Sequence, residues 1–143
     1  MHQHILLALQ ADAQLAIGQP KAALASVAAG LKAVEKAGGA PLEAELYRLK
    51  GEALLAGAGT PSDAETAIEK SIDVARRQNA KSWELRGAIS LARLRRQQGK
   101  PQEAAELLAP ILGWFTEGFD TADLKEAKTL LDKLTEPAIA AEG

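Results

Sequence analysis

The sequence predicts an all-α protein of three antiparallel helix hairpins followed by one C-terminal helix. The composition favours helices, since 47% of the residues are hydrophobic, only 3% are aromatic, and alanine and leucine dominate the apolar part. Apolar residues recur at intervals of three and four, which is the period of an α-helix. A Gly-x-Pro-x-x-Ala motif occurs three times, with its last alanine at Ala23, Ala64 and Ala104. The repeat period is therefore 41 and then 40 residues.

Each copy of the motif predicts a helix–turn–helix junction. Its glycine, which is Gly18, Gly59 or Gly99, is expected to end one helix in the left-handed conformation. Its proline suits the first turn of the next helix, where the missing N–H has no partner to lose. In the second copy, Ser62 and Glu65 have the spacing of a capping box.

The helices on either side of these turns carry apolar stripes, and each stripe predicts the face that its helix buries. We expect hairpins at about 2–38, 41–79 and 82–117, with Ser82 as the N-cap of the third. The stripe residues, in chain order, are Leu24, Val27, Leu31, Val34, Leu46, Leu49, Ala53, Ala64, Ile68, Ile72, Ala75, Leu85, Ala88, Ala92, Ala104, Leu108, Ile111 and Phe115.

A seventh helix is predicted at about 121–135, with Asp120 and Thr121 at its cap. Because it has no partner helix, we expect it to cover the last open face of the repeat array. Residues 1–135 then form a single domain, and 136–143 are expected to be a disordered tail. The apolar residues of the seventh helix are Leu124, Ala127, Leu131 and Leu134.

Pro110 conflicts with the helical pattern of the third hairpin. An interior proline costs about 3 kcal/mol and removes the hydrogen bond to the carbonyl four residues back, here that of Glu106. The sequence therefore predicts a kink or break at Pro110. Trp114, Phe115 and Phe119 follow, and we expect these aromatic side chains to anchor the seventh helix by burial.

Several of these positions resemble tetratricopeptide repeats with a long period. Tyr47 and Gly51 match the aromatic residue and the glycine in the first helix of that repeat. The resemblance implies a right-handed α-solenoid of three hairpins, with a concave face that binds other proteins. Further matches are Ala64, Ile68 and Ser71 in the second hairpin, and Leu91, Ala92, Gly99, Ala104 and Leu108 in the third.

A narrower resemblance covers roughly residues 41–134. The runs Glu45–Glu52, Ala80–Arg86 and Gly113–Lys125 are similar to the C-terminal helical region of large bacterial signalling proteins. Those proteins carry a class III nucleotide-cyclase-like domain, a predicted ATPase domain, or both, upstream of such repeats. The resemblance implies a signalling context and no activity for this chain, which contains no Gly-x-x-x-x-Gly-Lys-Ser/Thr loop.

The residues that enzymes use are sparse in this chain. It has no cysteine, so thiolate catalysis and zinc–sulfur sites are excluded and a reducing compartment fits. The only histidines, His2 and His4, are two residues apart at the terminus, and a solvated end is favoured over a metal site there. We therefore expect a non-catalytic protein without a cofactor or metal. The absence of a leader-like start and of about 20 consecutive apolar residues favours a soluble, cytoplasmic protein.

The charge is unevenly distributed although the net charge is only −2. Residues 76–100 contain eight basic residues and one acidic residue, whereas the remainder contains nine basic and 18 acidic residues. Binding of nucleic acid is disfavoured, because Arg76, Arg77 and Lys81 are expected to lie away from the concave face and no stacking aromatics accompany the basic face.

The resemblance also implies which positions face the concave groove. They are Ala8, Asp12 and Leu15 in the first hairpin, Glu45, Arg48, Glu52 and Leu55 in the second, and Arg86, Ile89, Arg93 and Arg96 in the third. One interpretation is that the arginines hold an acidic or phosphorylated segment. The other is an internal ion ladder, in which Glu45 meets Arg86 and Glu52 meets Arg93. Arg48 and Arg96 have no equal-position partner and are the better binding candidates.

Two functional hypotheses follow from the sequence, and self-association is a variant of the first. The leading one is a protein-interaction scaffold that binds a protein or peptide, acidic in character. The alternative is a regulatory sensor segment, in which a small ligand or an intramolecular partner controls an upstream cyclase, ATPase or DNA-binding domain. A homodimer through the N-terminal hairpin is also expected, since Ile5, Leu6 and Leu7 come almost at the start of the first helix.

Overall fold

The computed structural model describes residues 3–115 and 121–136. Over these residues the protein is all-helical and contains no strand, as predicted. The helices are α1 Gln3–Ala16, α2 Pro20–Lys36, α3 Glu43–Ala53, α4 Pro61–Arg77, α5 Lys81–Gln97, α6 Pro101–Trp114 and α7 Ala122–Leu134. A π-helical segment, Leu54–Ala58, continues α3.

The core is a series of apolar clusters between neighbouring helices. Each helix packs on the next one in the chain, and α1, α3, α5 and α7 also contact one another in that order. One cluster joins α1, α2 and α3 around Val27 and Leu49, and another joins α5, α6 and α7 around Leu108 and Leu124. Each helix is therefore held mainly by its neighbours along the chain.

The predicted apolar stripes form these clusters. Leu49, Ile68 and Leu108 are fully buried, and most of the other stripe residues are buried with them. Leu24, Leu31, Phe115 and Leu131 lie half-buried at the edges of the clusters. The period of three and four thus predicted the buried faces of α2 to α7 correctly.

The turn glycines behave in two ways. Gly18 and Gly99 both have φ of 77°, which confirms the predicted left-handed conformation. The prediction for Gly59 is wrong, because its φ of −171° is extended backbone that any residue can adopt. Here the π-helical segment lengthens the helix, and Gly57 reverses the chain two residues earlier with φ of 130°. Gly59 instead leaves room for the side chain of Leu54, since a Cβ at Gly59 would lie 2.4 Å from Cδ2 of Leu54.

Two of the three predicted helix caps are wrong. The N-cap of α4 is Thr60, whose Oγ1 accepts a hydrogen bond from the N–H of Asp63 at 3.1 Å, so Ser62 already lies in the first turn. The N-cap position of α5 is Ala80, which places Ser82 inside that helix. The cap of α7 is confirmed, because Thr121 Oγ1 accepts from the N–H of Leu124 at 3.3 Å. Asp120 lies outside the described residues.

Pro110 does not break α6, which runs unbroken from Pro101 to Trp114. Pro110 and Glu106 are both exposed, so water can satisfy the carbonyl that loses its helical hydrogen bond. On the opposite side, Leu108 and Ile111 are buried against α5 and α7 and hold the helix in place. Of the predicted kink or break, the break does not occur, because the proline lies on the exposed side of the helix.

The aromatic residues after Pro110 divide between burial and exposure. Phe115 is half-buried and packs against the cluster of α5, α6 and α7, which agrees with the predicted anchoring role. Trp114 is 57% exposed, contrary to prediction, and Nζ of Lys81 lies 5.4 Å from its ring centroid. Phe119 lies outside the described residues, as do His2 and 137–143 of the predicted tail.

Candidate functional site

A buried carboxylate joins α3 and α5. The side chain of Glu45 is only 9% exposed. Its two oxygens accept hydrogen bonds from Nε and Nη2 of Arg48 at 2.7 and 2.9 Å. Nη1 of Arg86 lies 2.9 Å from Oε2 of the same carboxylate. The predicted Glu45–Arg86 pair is therefore confirmed, and Glu45 holds two arginines rather than one.

Arg48, which was predicted as a binding residue without an equal-position partner, is already paired with Glu45 in the folded protein. It lies one turn after Glu45 on α3, and its side chain is only 11% exposed. Burial lowers the pKa of Arg48, but the hydrogen bond that Arg48 donates to Glu45 and the charges of Glu45, Glu52 and Asp12 outweigh it and raise the pKa. The guanidinium is thus a permanent charge that the fold already neutralises.

Arg86 and Arg93 both reach the last helix. Arg86 Nε lies 3.7 Å from Oδ2 of Asp123, and Arg93 forms an ion pair with Glu126. The predicted Glu52–Arg93 pair is wrong, because α7 lies against α5 and presents Glu126 to Arg93. The ion ladder therefore exists, but it runs from α3 through α5 to α7.

Most of the basic segment 76–100 is neutralised by acids of neighbouring turns and helices. The buried carboxylate of Glu84 binds Arg76 and Lys81 at 2.9 and 3.2 Å. Arg95 Nη1 lies 2.5 Å from Oε1 of Glu65 on α4. With Arg86 and Arg93, five of the eight basic residues are paired. The uneven charge of the sequence therefore mainly serves contacts between helices.

The contact between Glu65 and Arg95 shifts the pKa values of both side chains. The hydrogen bond from Arg95, together with its charge, lowers the pKa of Glu65 below its ordinary value. The hydrogen bond to Glu65 and the charges of Glu65, Glu69 and Glu103 raise the pKa of Arg95. Both groups are therefore held in their charged forms in the folded protein.

Arg96 is the predicted groove residue that remains exposed and unpaired among the described residues. It lines a cleft of about 430 Å³ between α5 and α7. Arg96, Lys125 and Lys133 have no ion-pair partner within residues 3–115 and 121–136, and the single carboxylate of the cleft, Glu126, is taken by Arg93. We call this the α5–α7 cleft. Its lining is Arg93, Arg96, Gln97, Lys125, Glu126, Thr129, Leu130 and Lys133.

Lys125 and Lys133 were not predicted as site residues from the sequence. A pattern for them was present, because Lys125, Thr129 and Lys133 follow one another at intervals of four and so share one face of α7. The seventh helix was predicted only to cover the last open face of the repeat array. The uncompensated cations of the cleft can donate charge-assisted hydrogen bonds to carboxylates or phosphates. In the described part of the chain, no three histidine, aspartate or glutamate residues lie together in a way that could hold a metal ion.

Two other clefts carry mixed chemistry. One of about 330 Å³ lies between α1 and α3, where Asp12, Arg48 and Glu52 accompany Leu15 and Leu49. One of about 640 Å³ lies between α2 and α3. Its lining combines apolar side chains with four charged residues, namely Lys32, Glu35, Glu43 and Lys50. The α5–α7 cleft differs from both in its clear excess of positive charge.

None of the described helices combines the length and apolar character needed to cross a membrane. Comparison of the chain with protein-family models gives no match. The search of curated proteins gives no significant match. The search of solved structures gives no significant match either.

Proposed function

We propose that this protein is a non-catalytic interaction module whose α5–α7 cleft binds an acidic segment of a partner protein. The observation that carries the proposal is the group of three exposed cations, Arg96, Lys125 and Lys133, that no described carboxylate neutralises. Arg86, Arg93 and Arg95 of α5 each pair with a carboxylate, so Arg96 is the exception among the described arginines of that helix.

The proposed architecture is a right-handed α-solenoid of three antiparallel hairpins of the tetratricopeptide type, with α7 as its cap. The contacts of α1, α3, α5 and α7 in that order support it, because stacked hairpins bring their first helices side by side. Tyr47 and Gly51 lie on α3 as that repeat requires. In this architecture the cleft is the C-terminal end of the concave face.

The proposed ligand is an extended acidic peptide or a chain terminus. Arg96 supplies a planar donor that suits a carboxylate in two-point contact, and the two lysines supply flexible point charges. Leu130 adds a small apolar contact beside them. We propose a cytoplasmic signalling context, as in the C-terminal regions of the bacterial cyclase-like proteins that the sequence resembles. The sensor alternative is less favoured, because the two clefts that contain the predicted groove residues Arg48 and Arg96 are lined with charge.

The test is a pull-down from bacterial lysate, read by mass spectrometry, with three baits. The baits are the wild type, Arg96→Glu with Lys133→Glu, and a matched control, Lys21→Glu with Lys36→Glu. All four substituted residues are exposed, and both variants change the net charge equally. We expect a partner to be retained by the wild type and the control and to be lost by the cleft variant.

Salt should also release the retained partner from the bait, because it screens exposed ion pairs. The Debye length falls from about 10 Å at an ionic strength of 0.1 M to about 3 Å at 1 M. Affinity for the partner should fall by about tenfold or more in the cleft variant. Identical sets of proteins on all three baits, or empty baits, would contradict an acidic-segment module. Circular dichroism of the three baits checks that they share the same helical fold.

A further inference from the structure

The first helix presents an apolar face to solvent. Leu6, Leu9 and Ile17 are 69, 63 and 67% exposed, and Ile5 is partly exposed beside them. Ala13 and Ala16 are exposed on the same side, between Leu9 and Ile17. Leu6, Leu9, Ala13 and Ala16 follow one another at intervals of three, four and three, so they form one stripe along α1. We call Leu6, Leu9, Ala13 and Ala16 the α1 stripe.

The α1 stripe has a buried counterpart in the next repeat. Leu46, Leu49 and Ala53 of α3 lie forty residues after Leu6, Leu9 and Ala13. In α3 these residues are fully buried in the cluster formed with α1 and α2. Leu46 fits so closely that a Cβ on Gly30 of α2 would lie 3.0 Å from its Cδ2. The same face of the repeat therefore packs on another helix in α3 and lies open in α1.

Among residues 3–115 and 121–136, the opposite end at α7 does not offer a matching surface. The outward residues of α7 include Lys125, Lys128, Thr129, Asp132 and Lys133, all of which are exposed and polar. A second copy stacked head to tail would set leucines against lysines and would leave the apolar face of the first copy unfilled. The surface of a second copy that matches the α1 stripe is the α1 stripe itself.

We propose that two copies of this chain associate face to face through α1, about a two-fold axis. The proposal is independent of the acidic-segment site, because α1 contributes nothing to the α5–α7 cleft. Charge repulsion is small, since α1 contains a single acidic residue, Asp12, and no lysine or arginine. Asp12 also lies close enough to Arg48 for its charge to help raise the Arg48 pKa.

An antiparallel arrangement gives complementary contacts. With the axis at the level of residue 11, Leu6 and Leu9 of one copy lie opposite Ala16 and Ala13 of the other. Large side chains then fill the spaces above small ones, as in the layers of a coiled coil. The axis closes the assembly at two copies, because both stripes are fully used.

The expected association is weak. The exposed apolar area of the stripe is on the order of 400 Å² in each copy, which is about half of one side of a standard interface of about 800 Å². We therefore expect a reversible dimer with a dissociation constant of roughly tens of micromolar.

Sedimentation velocity of the full chain tests the proposal over roughly 1 µM to 1 mM, a range that brackets weak association. The variants are Leu6→Ala with Leu9→Ala, which keeps helix propensity because alanine is the best helix former, and Leu6→Glu with Leu9→Glu. The matched control is Gln102→Glu with Ala109→Glu, which adds the same two charges to exposed positions of α6.

We expect the wild type and the α6 control to dimerise equally. The alanine variant should raise the dissociation constant by about tenfold or more, and the glutamate variant should remain monomeric. A wild type that stays monomeric throughout, a dimer that persists in the glutamate variant, or growth into larger oligomers would each overturn the proposal. Circular dichroism melts of all four proteins separate loss of association from loss of fold.

Discussion

A single glycine sets the distance between α3 and α4. A Cβ at Gly51 would lie 2.4 Å from Cγ1 of Ile68 and 3.1 Å from the carbonyl oxygen of Ala64. Ile68 is fully buried, so it has little room to move, and the carbonyl belongs to the backbone of α4. The glycine that resembles the repeat signature is therefore explained by a close approach of two helices rather than by a turn.

We expect Gly51→Ala to lower the free energy of unfolding by about 1–3 kcal/mol, because overpacking exceeds the gain of about 1 kcal/mol in helix propensity. Urea denaturation followed by circular dichroism measures the change. Gly113→Ala is the matched control, since Gly113 lies in α6 and an added Cβ would meet nothing within 4 Å. In that control the free energy of unfolding should rise by about 0.5–1 kcal/mol. Equal gains in both variants would show that α3 and α4 are not in close contact.

Residue-level predictions succeeded where one local conformation was possible and failed where two were. Gly18 and Gly99 each end a helix just before a proline, and both adopt the left-handed conformation. Around α4, both Thr60 and Ser62 are good cap residues, and the extended backbone of Thr60 selects it. That backbone conformation depends on the preceding π-helical segment and Gly57, which the sequence pattern did not indicate.

At the scale of helices, ion pairs fix how neighbours lie against one another. Arg95 of α5 reaches back to Glu65 of α4, while Glu84 near the start of α5 holds Arg76 near the end of α4. The two contacts lie toward opposite ends of the α4–α5 pair. Their energies are modest, but together they favour one register of the two helices over shifted ones.

The Glu65–Arg95 pair predicts a pH dependence of stability. The pKa of Glu65 is lowered in the folded protein, so its contribution is present above the ordinary carboxyl range and is lost as the pH falls through the lowered pKa. We expect Glu65→Gln to lower the free energy of unfolding by about 1 kcal/mol or less at pH 7. The difference from the wild type should shrink below about pH 4.3.

Thermal melts at a series of pH values check this dependence. Glu106→Gln serves as the control, because Glu106 is exposed and makes no ion pair with a described residue. Its difference from the wild type should be near zero at every pH. A constant cost of Glu65→Gln down to pH 2 would mean that the carboxylate charge is not what stabilises the pair.

Over the whole molecule, one chain of charges crosses three helices. Arg48 and Glu45 belong to α3, Arg86 belongs to α5, and Asp123 belongs to α7. The buried end of this chain is at Glu45, and the exposed end is at Asp123. Removing the charge of Glu45 should therefore lower the free energy of unfolding far more than removing the charge of Asp123.

We expect Glu45→Gln to lower the free energy of unfolding by about 3–5 kcal/mol, because Arg48 would remain buried without a carboxylate. Asp123→Asn is the comparison, and it should cost less than about 1 kcal/mol, since its contact with Arg86 is long and half-exposed. Chemical denaturation of both variants gives the two values. Similar costs would mean that Glu45 is solvated and that the charge chain has no buried end.

The sequence by itself determined the helices, their order, their buried faces and two of the turn glycines, because these depend on interactions within a few residues. It also predicted the Glu45–Arg86 pair from equal positions in successive repeats. Only the tertiary structure decided that Arg93 pairs with Glu126 and that Lys125 and Lys133 lie beside Arg96. The choice of partner depends on the rotation and offset between helices, which contacts such as Gly51 on Ile68 set and which local periodicity does not encode.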